Sequence, residues 1–128
     1  MLVGNDCKVV SLIHPKVVIG SDVVIGSGTV VMAGVVVNTG ARIGDGVILN
    51  TCCSVDHDCL IKDYCHIAVG AHLAGSVTVG KFSFVCAGAT VINNIAICDE
   101  CVIGAGAVVV RNIEESGTYV GVPAKALV

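Results

Sequence analysis

Cys53-Ser54-Val55-Asp56-His57-Asp58-Cys59-Leu60-Ile61-Lys62-Asp63-Tyr64-Cys65-His66-Ile67 is the stretch that decides the fold. In it a small residue, a variable residue and an aliphatic recur every six positions: Cys53-Ser54-Val55, Cys59-Leu60-Ile61, Cys65-His66-Ile67. Counting in sixes outward from Val55, every position from Ile13 to Val109 is Ile, Val or Leu, without a slip. Four residues after each aliphatic stands a residue that is mostly small or β-branched, from Val17, Val23 and Thr29 through Ala71 to Ile113. A hexapeptide period this strict is the signature of a parallel β-helix, an all-β solenoid. Side chains alternate along a strand, so the small residue and the aliphatic point inward and the residue between them points out. The other three residues of each hexad make a corner.

Length and composition narrow the possibilities. A chain of 128 residues is one domain, here read as regular hexads over 13–114 and a tail over 115–128. Residues 1–12 fit the period loosely and read as a lead-in coil or cap. The hydrophobic fraction of 55% is high, yet Gly, Asn or Asp interrupts nearly every hexad, so no run reaches the length of a membrane span. No signal-peptide pattern opens the chain. The excess apolar surface points instead to a subunit interface. With seven Lys and Arg, a net charge of −3 and no Trp, there is neither a basic patch nor a stacking platform for nucleic acid. Eight cysteines would suit a disulfide framework, but Cys53, Cys59, Cys65 and Cys101 fall in the small inward slot. Buried free cysteine packs as a small hydrophobe, so the reading is a reduced, cytoplasmic protein without a bound metal.

The residue with chemistry to offer is His57, a histidine between two carboxylates at a corner. Its unperturbed pKa lies near working pH, which suits a general base, and Asp58 can hold one ring nitrogen so that the other faces outward. The plainer alternative is a surface histidine in a turn, with Asp56 and Asp58 there because Asp tolerates turn conformations.

The hexad ladder and the closing Gly121-Val122-Pro123-Ala124-Lys125 resemble the hexapeptide-repeat acyltransferases over about nine-tenths of the chain. Asn50-Thr51, then Val55-Asp56-His57-Asp58-Cys59, then His66 and Gly75 are similar to the sialic acid O-acetyltransferases and UDP-4-amino-sugar N-acetyltransferases. The resemblance implies a single-stranded left-handed parallel β-helix with three hexads, 18 residues, per coil, assembled as a homotrimer. It further implies acetyl-CoA as co-substrate and transfer of acetyl to an amino or hydroxyl group of a sugar or sugar nucleotide. His57 would be the general base and Asp58 its orienting partner. His66, Gly75, Ala87 and Ala105 would line the coenzyme. Members usually carry an N-terminal α/β domain that helps bind the sugar nucleotide; these 128 residues contain none, which leaves the acceptor open.

With an 18-residue coil the outward residues fall into columns. Let 53–55 lie on face A, 59–61 on face B and 65–67 on face C. Face C then presents Val30, Ile48, His66, Phe84 and Val102, apolar except for one histidine, and is the expected subunit interface. Face B presents Val24, Arg42, Leu60, Thr78, Ala96 and Glu114, and face A presents Val36, Ser54, His72, Thr90 and Val108. The C/A corner stacks Ala33-Gly34, Thr51-Cys52, Val69-Gly70, Ala87-Gly88 and Ala105-Gly106, a smooth strip for the coenzyme. The A/B corner stacks Thr39, His57, Gly75, Asn93 and Arg111, so Gly75 lies one coil above His57 and leaves it uncovered. His66 is then far from His57 within one subunit, and the two can serve one site only from neighbouring subunits.

Two alternatives remain. A zinc protein of the gamma-class carbonic anhydrase kind would share fold and trimer, but its signature includes two histidines five apart. Here the spacings are nine and six. A non-catalytic β-helix scaffold would make the Asp-His-Asp corner accidental.

Overall fold

The computed structural model describes residues 6–128, so the start of the expected lead-in coil lies outside the described residues. Each hexad contributes a strand of about two residues, such as Ser54–Val55, Leu60–Ile61 and His66–Ile67, followed by a tight corner. The strands stack into three sheets of eight, six and five strands, parallel except for the last pair of the eight. The pairing register is 18 residues throughout the ladder: His66 lies against Ile48 and Phe84, His72 against Ser54 and Thr90, Thr78 against Leu60 and Ala96. The three faces are therefore those expected, and the solenoid is consistent with a left-handed β-helix.

The inside is a column of aliphatic and small side chains. Leu49, Val55, Ile61, Ile67 and Leu73 are sealed, as are Cys53, Cys59 and Cys65 in the small slot. Ile13 and Ile19 point the same way but stay 46% and 41% exposed, because their coil ends the stack. Two inward hydroxyls fit because each finds a carbonyl one coil on: Thr29 Oγ1 donates to Gly44 O at 2.8 Å, and Ser83 Oγ to Cys98 O at 3.2 Å.

Corners share one backbone rule. From Asp22 to Gly106 every sixth residue, the one before the inward small slot, has a left-handed backbone. Gly34, Gly40 and Gly88 take this at no steric cost, and Asp58 is among the side chains that tolerate it. Tyr64 and Phe82 do not favour it; they stack on each other at 5.2 Å, and Tyr64 occupies the space that Gly46 leaves bare.

The last coil departs from the period. The ladder was expected to place Glu114 above Ala96. Instead, Asn112 Oδ1 accepts the Ala96 N–H at 2.9 Å, where a backbone carbonyl would otherwise stand. Ile113 then bridges Ile97, and Cys101, Val102 and Ile103 pair with Gly117, Thr118 and Tyr119, a register of 16. Glu114 is thus not part of face B. Gly117–Val120 extends the eight-stranded sheet, and Lys125–Ala126 folds back antiparallel on it. No helix among the described residues is long and apolar enough to cross a membrane.

Candidate active site

The A/B corner brings His57 and Asp58 into contact. His57 Nδ1 lies 3.1 Å from Asp58 Oδ2, with the two side chains 55% and 66% exposed. The left-handed backbone at Asp58 turns its carboxylate back onto the ring of the residue before it. Asp56 has a different task. Its Oδ1 accepts Asn38 Nδ2 at 2.8 Å and the His57 N–H at 2.7 Å, which ties the corner to the coil below. Those bonds, the Asn38 amide first, hold its carboxyl below the usual carboxylate range. Of the two acids flanking His57, one braces the turn and one touches the ring.

Two glycines shape the dyad. A Cβ on Gly75 would collide with His57 Nε2 and lie 2.5 Å from Cε1, so the ring occupies the space that Gly75 leaves free. Gly75 therefore seats the ring from above as well as leaving it room. One coil below, Gly40 does the same for Asp58, whose Oδ1 would collide with a Cβ there. Gly40 was missed in the sequence; the signal was a glycine 18 residues before the acid. His57 Nε2 is left without a hydrogen-bond partner among the described residues.

His66 sits on face C, in a different sheet from the strands that flank His57. Its ring stacks on Phe84 at 4.7 Å with the planes 10° apart. Asn50 Oδ1 already accepts the Thr51 N–H at 2.7 Å, so Asn50 Nδ2 faces His66 Nε2 at 3.2 Å and donates to it. This network assigns the ring proton to Nδ1, and burial lowers the His66 pKa. Ala87 and Ala105 are exposed on the C/A corner, where a Cβ on Gly70 or Gly106 would meet nothing within 4 Å. The strip is open at Gly70 and Gly106, whereas the Cys52 Sγ fills the space beside Gly34.

Other groups are scattered. His72 Nδ1 pairs with Ser54 Oγ at 2.7 Å on face A, and His14 Nδ1 accepts the Lys16 N–H at 3.0 Å. The described residues contain no group of three or more His, Cys, Asp or Glu that could hold a metal ion. Lys125 shares a groove of about 290 Å³ with Val110, Arg111, Pro123 and Ala124. A larger groove of about 480 Å³, lined by Leu12, Ile13, Val30, Met32 and Ala33 among others, lies at the opposite end, away from the dyad.

Fold and corner together define a hexapeptide-repeat β-helix carrying a histidine–carboxylate dyad. No protein-family model matches the chain. Among solved structures it is similar to the acetyltransferase domain of PglB from Neisseria gonorrhoeae, with 41% identity and a TM-score of 0.95 over 98% of this chain and 61% of that one. It is also similar to PerB from Caulobacter crescentus, solved with CoA and GDP-perosamine, with 43% identity and a TM-score of 0.92 over 94% of this chain and 58% of that one. A hexapeptide transferase family protein from Anaplasma phagocytophilum, at 23% identity and a TM-score of 0.76 over 91% of this chain and 77% of that one, shares the fold. The resemblance to hexapeptide-repeat acyltransferases holds over the β-helix, and the chain spans about six-tenths of the length of the first two structures.

Proposed function

We propose that the chain is an acetyl-CoA-dependent acetyltransferase acting on an amino or hydroxyl group of a sugar or sugar nucleotide. The observation that carries this reading is the seated dyad: His57 Nδ1 held by Asp58 at 3.1 Å, with Nε2 free. Nε2 takes the proton of the acceptor N–H or O–H as the acceptor atom bonds to the thioester carbonyl carbon. The negative charge passes to the carbonyl oxygen, and the Gly75 N–H, which has no partner among the described residues, is the proposed donor to it. Collapse of the tetrahedral intermediate breaks the carbon–sulfur bond, and the imidazolium returns its proton to the leaving thiolate. No acyl-enzyme forms.

The coenzyme lies along the open C/A strip past Ala87 and Ala105, with its phosphates towards Lys125. The neighbouring Arg111 adds a second cation to that groove. His66, neutral and fixed by Asn50 and Phe84, holds the acetyl group from an adjacent subunit of a homotrimer packed through face C. Ile48 and Phe84, still 36% and 38% exposed on that face, support this packing. The similarity to proteins solved with acetyl coenzyme A or with CoA and GDP-perosamine supports both donor and acceptor class. Cys53, Cys59, Cys65 and Cys101, packed as thiols in the inward slot, support a cytoplasmic setting.

The test is a turnover screen with acetyl-CoA over amino-sugar nucleotides and sialic acids, read by mass spectrometry because free thiols confound thiol reagents. His57→Ala is expected to lower turnover by about 10²–10⁴ with coenzyme affinity largely intact. A fully active His57→Ala protein would sink the reading.

A further inference from the structure

We propose that Ser54 and His72 form a binding subsite for the hydroxyl groups of the sugar acceptor. The inference rests on the acetyl-transfer reading, and it concerns face A, which that reading leaves idle.

Face A is a registered outward column of Val18, Val36, Ser54, His72, Thr90 and Val108. It is valine at both ends and polar at three successive rungs in the middle. The fold does not ask for this, since Val36 and Val108 serve the same outward position. The polar rungs coincide with the dyad. Ser54 lies in the strand that runs directly into the Asp56-His57-Asp58 corner, and His72 in the strand that runs into Gly75. Each lies three positions before its corner partner, at most about 10 Å along the chain. That is the reach of a sugar ring with its substituents when the reacting group lies at His57.

The chemistry of the pair selects the ligand. Ser54 Oγ and His72 Nδ1 are 2.7 Å apart, and His72 is exposed. The outer nitrogen of His72 and the Thr90 hydroxyl have no partner among the described residues. A hydroxyl and a neutral imidazole can each donate or accept, according to how the shared proton is placed. Sugar hydroxyls do both as well. Phosphate only accepts, and the Arg111–Lys125 groove matches it better. Both residues lie on the same subunit as His57, so the subsite needs no partner chain.

The experiment uses the full chain, acetyl-CoA and the amino-sugar nucleotide or sialic acid that the wild type acetylates fastest in the screen above. His72→Ala and Ser54→Ala are each expected to raise the acceptor KM about tenfold, with kcat and coenzyme Kd within about threefold of wild type. His72→Asn, which keeps a group able to bond Ser54, is expected to recover most of the loss. His72→Val, which continues the column, is expected to fold normally and still show the raised KM. Unchanged acceptor KM in all four variants overturns the inference and leaves the acetyl-transfer reading standing. A change in subunit mass or melting temperature with unchanged KM makes the pair an intersubunit contact and also overturns it. A wild type that acetylates no sugar overturns both.

Discussion

At the scale of single residues, the dyad depends on two missing side chains. Gly75 has an ordinary backbone conformation, so its requirement is for space alone: a methyl group there meets the His57 ring. The ring is the mobile partner and can swing away, so Gly75→Ala is expected to cost about 1 kcal/mol of stability or less. The displaced base is expected to lower kcat by about 10²-fold, since misplacement on the ångström scale is that costly. Thermal melts and kcat measured on one preparation check both halves; loss of activity accompanied by a large drop in melting temperature would contradict the argument. Gly40 differs, because its φ of +73° adds backbone strain to the clash with Asp58. Gly34, with a φ of +75°, faces Cys52 instead and supplies the matched control. Gly40→Ala and Gly34→Ala are expected to lose similar stability, of about 1–2 kcal/mol from the left-handed backbone. Only Gly40→Ala is expected to lower kcat as well, through the displaced carboxylate that holds the His57 ring.

At the scale of elements, the small inward slot carries its own pH dependence. Burial pushes the Cys53 thiol up to about 12 and the Cys65 thiol up to about 11, against an ordinary value of 9.0. Burial raises Cys59 and Cys101 as well. A group whose folded pKa is raised contributes stability below its unfolded pKa and loses it as pH climbs towards the folded one. The unfolded chain sheds protons above pH 9 while the coil keeps them, so stability is expected to fall between pH 9 and 11. The slope is about 1.4 kcal/mol per pH unit for each retained proton. Urea midpoints across that range check this, and Cys53→Ala is expected to shallow the slope by one thiol's share. A flat profile would mean that the thiols are not held protonated. The same slot explains what the sequence could reveal: only small or branched apolar residues fit inside, so the six-residue period is written plainly. The third residue of each corner is set by backbone, and Gly, Asp or Asn fills ten of its fifteen positions from Asp22 to Gly106, a period that Cys52, Tyr64, Ser76, Phe82 and Glu100 interrupt. The 16-residue last coil was hidden because one side-chain amide, Asn112, stands in for a backbone carbonyl. His57 and Asp58 were legible as sequence neighbours, whereas the Gly40 seat and the Ser54–His72 pair exist only once the 18-residue register is known.

At the scale of the whole molecule, the two histidines of the proposed site lie on different parts of the cross-section. His57 is at the corner between the six- and five-stranded sheets, and His66 faces out from the eight-stranded one. A site using both must join the corner of one subunit to face C of the next, and in a cyclic trimer that arrangement repeats three times. Each site then needs an intact His57 from one chain and an intact His66 from its neighbour. His57→Ala and His66→Ala proteins, each nearly inactive alone, are expected to regain activity when unfolded together and refolded as mixed trimers. With random assembly of equal amounts, a site draws its intact His57 from the second variant half the time and its intact His66 from the first half the time. About a quarter of wild-type activity is therefore expected, provided assembly is cyclic and unbiased. Native mass spectrometry confirms that mixing occurred, and the assay is the acetyl-CoA turnover already described. Mixed trimers as inactive as either parent would place both histidines' work within single subunits. Recovery near a quarter requires a neighbour to complete each site, and it ties the apolar face C column to catalysis as well as to assembly.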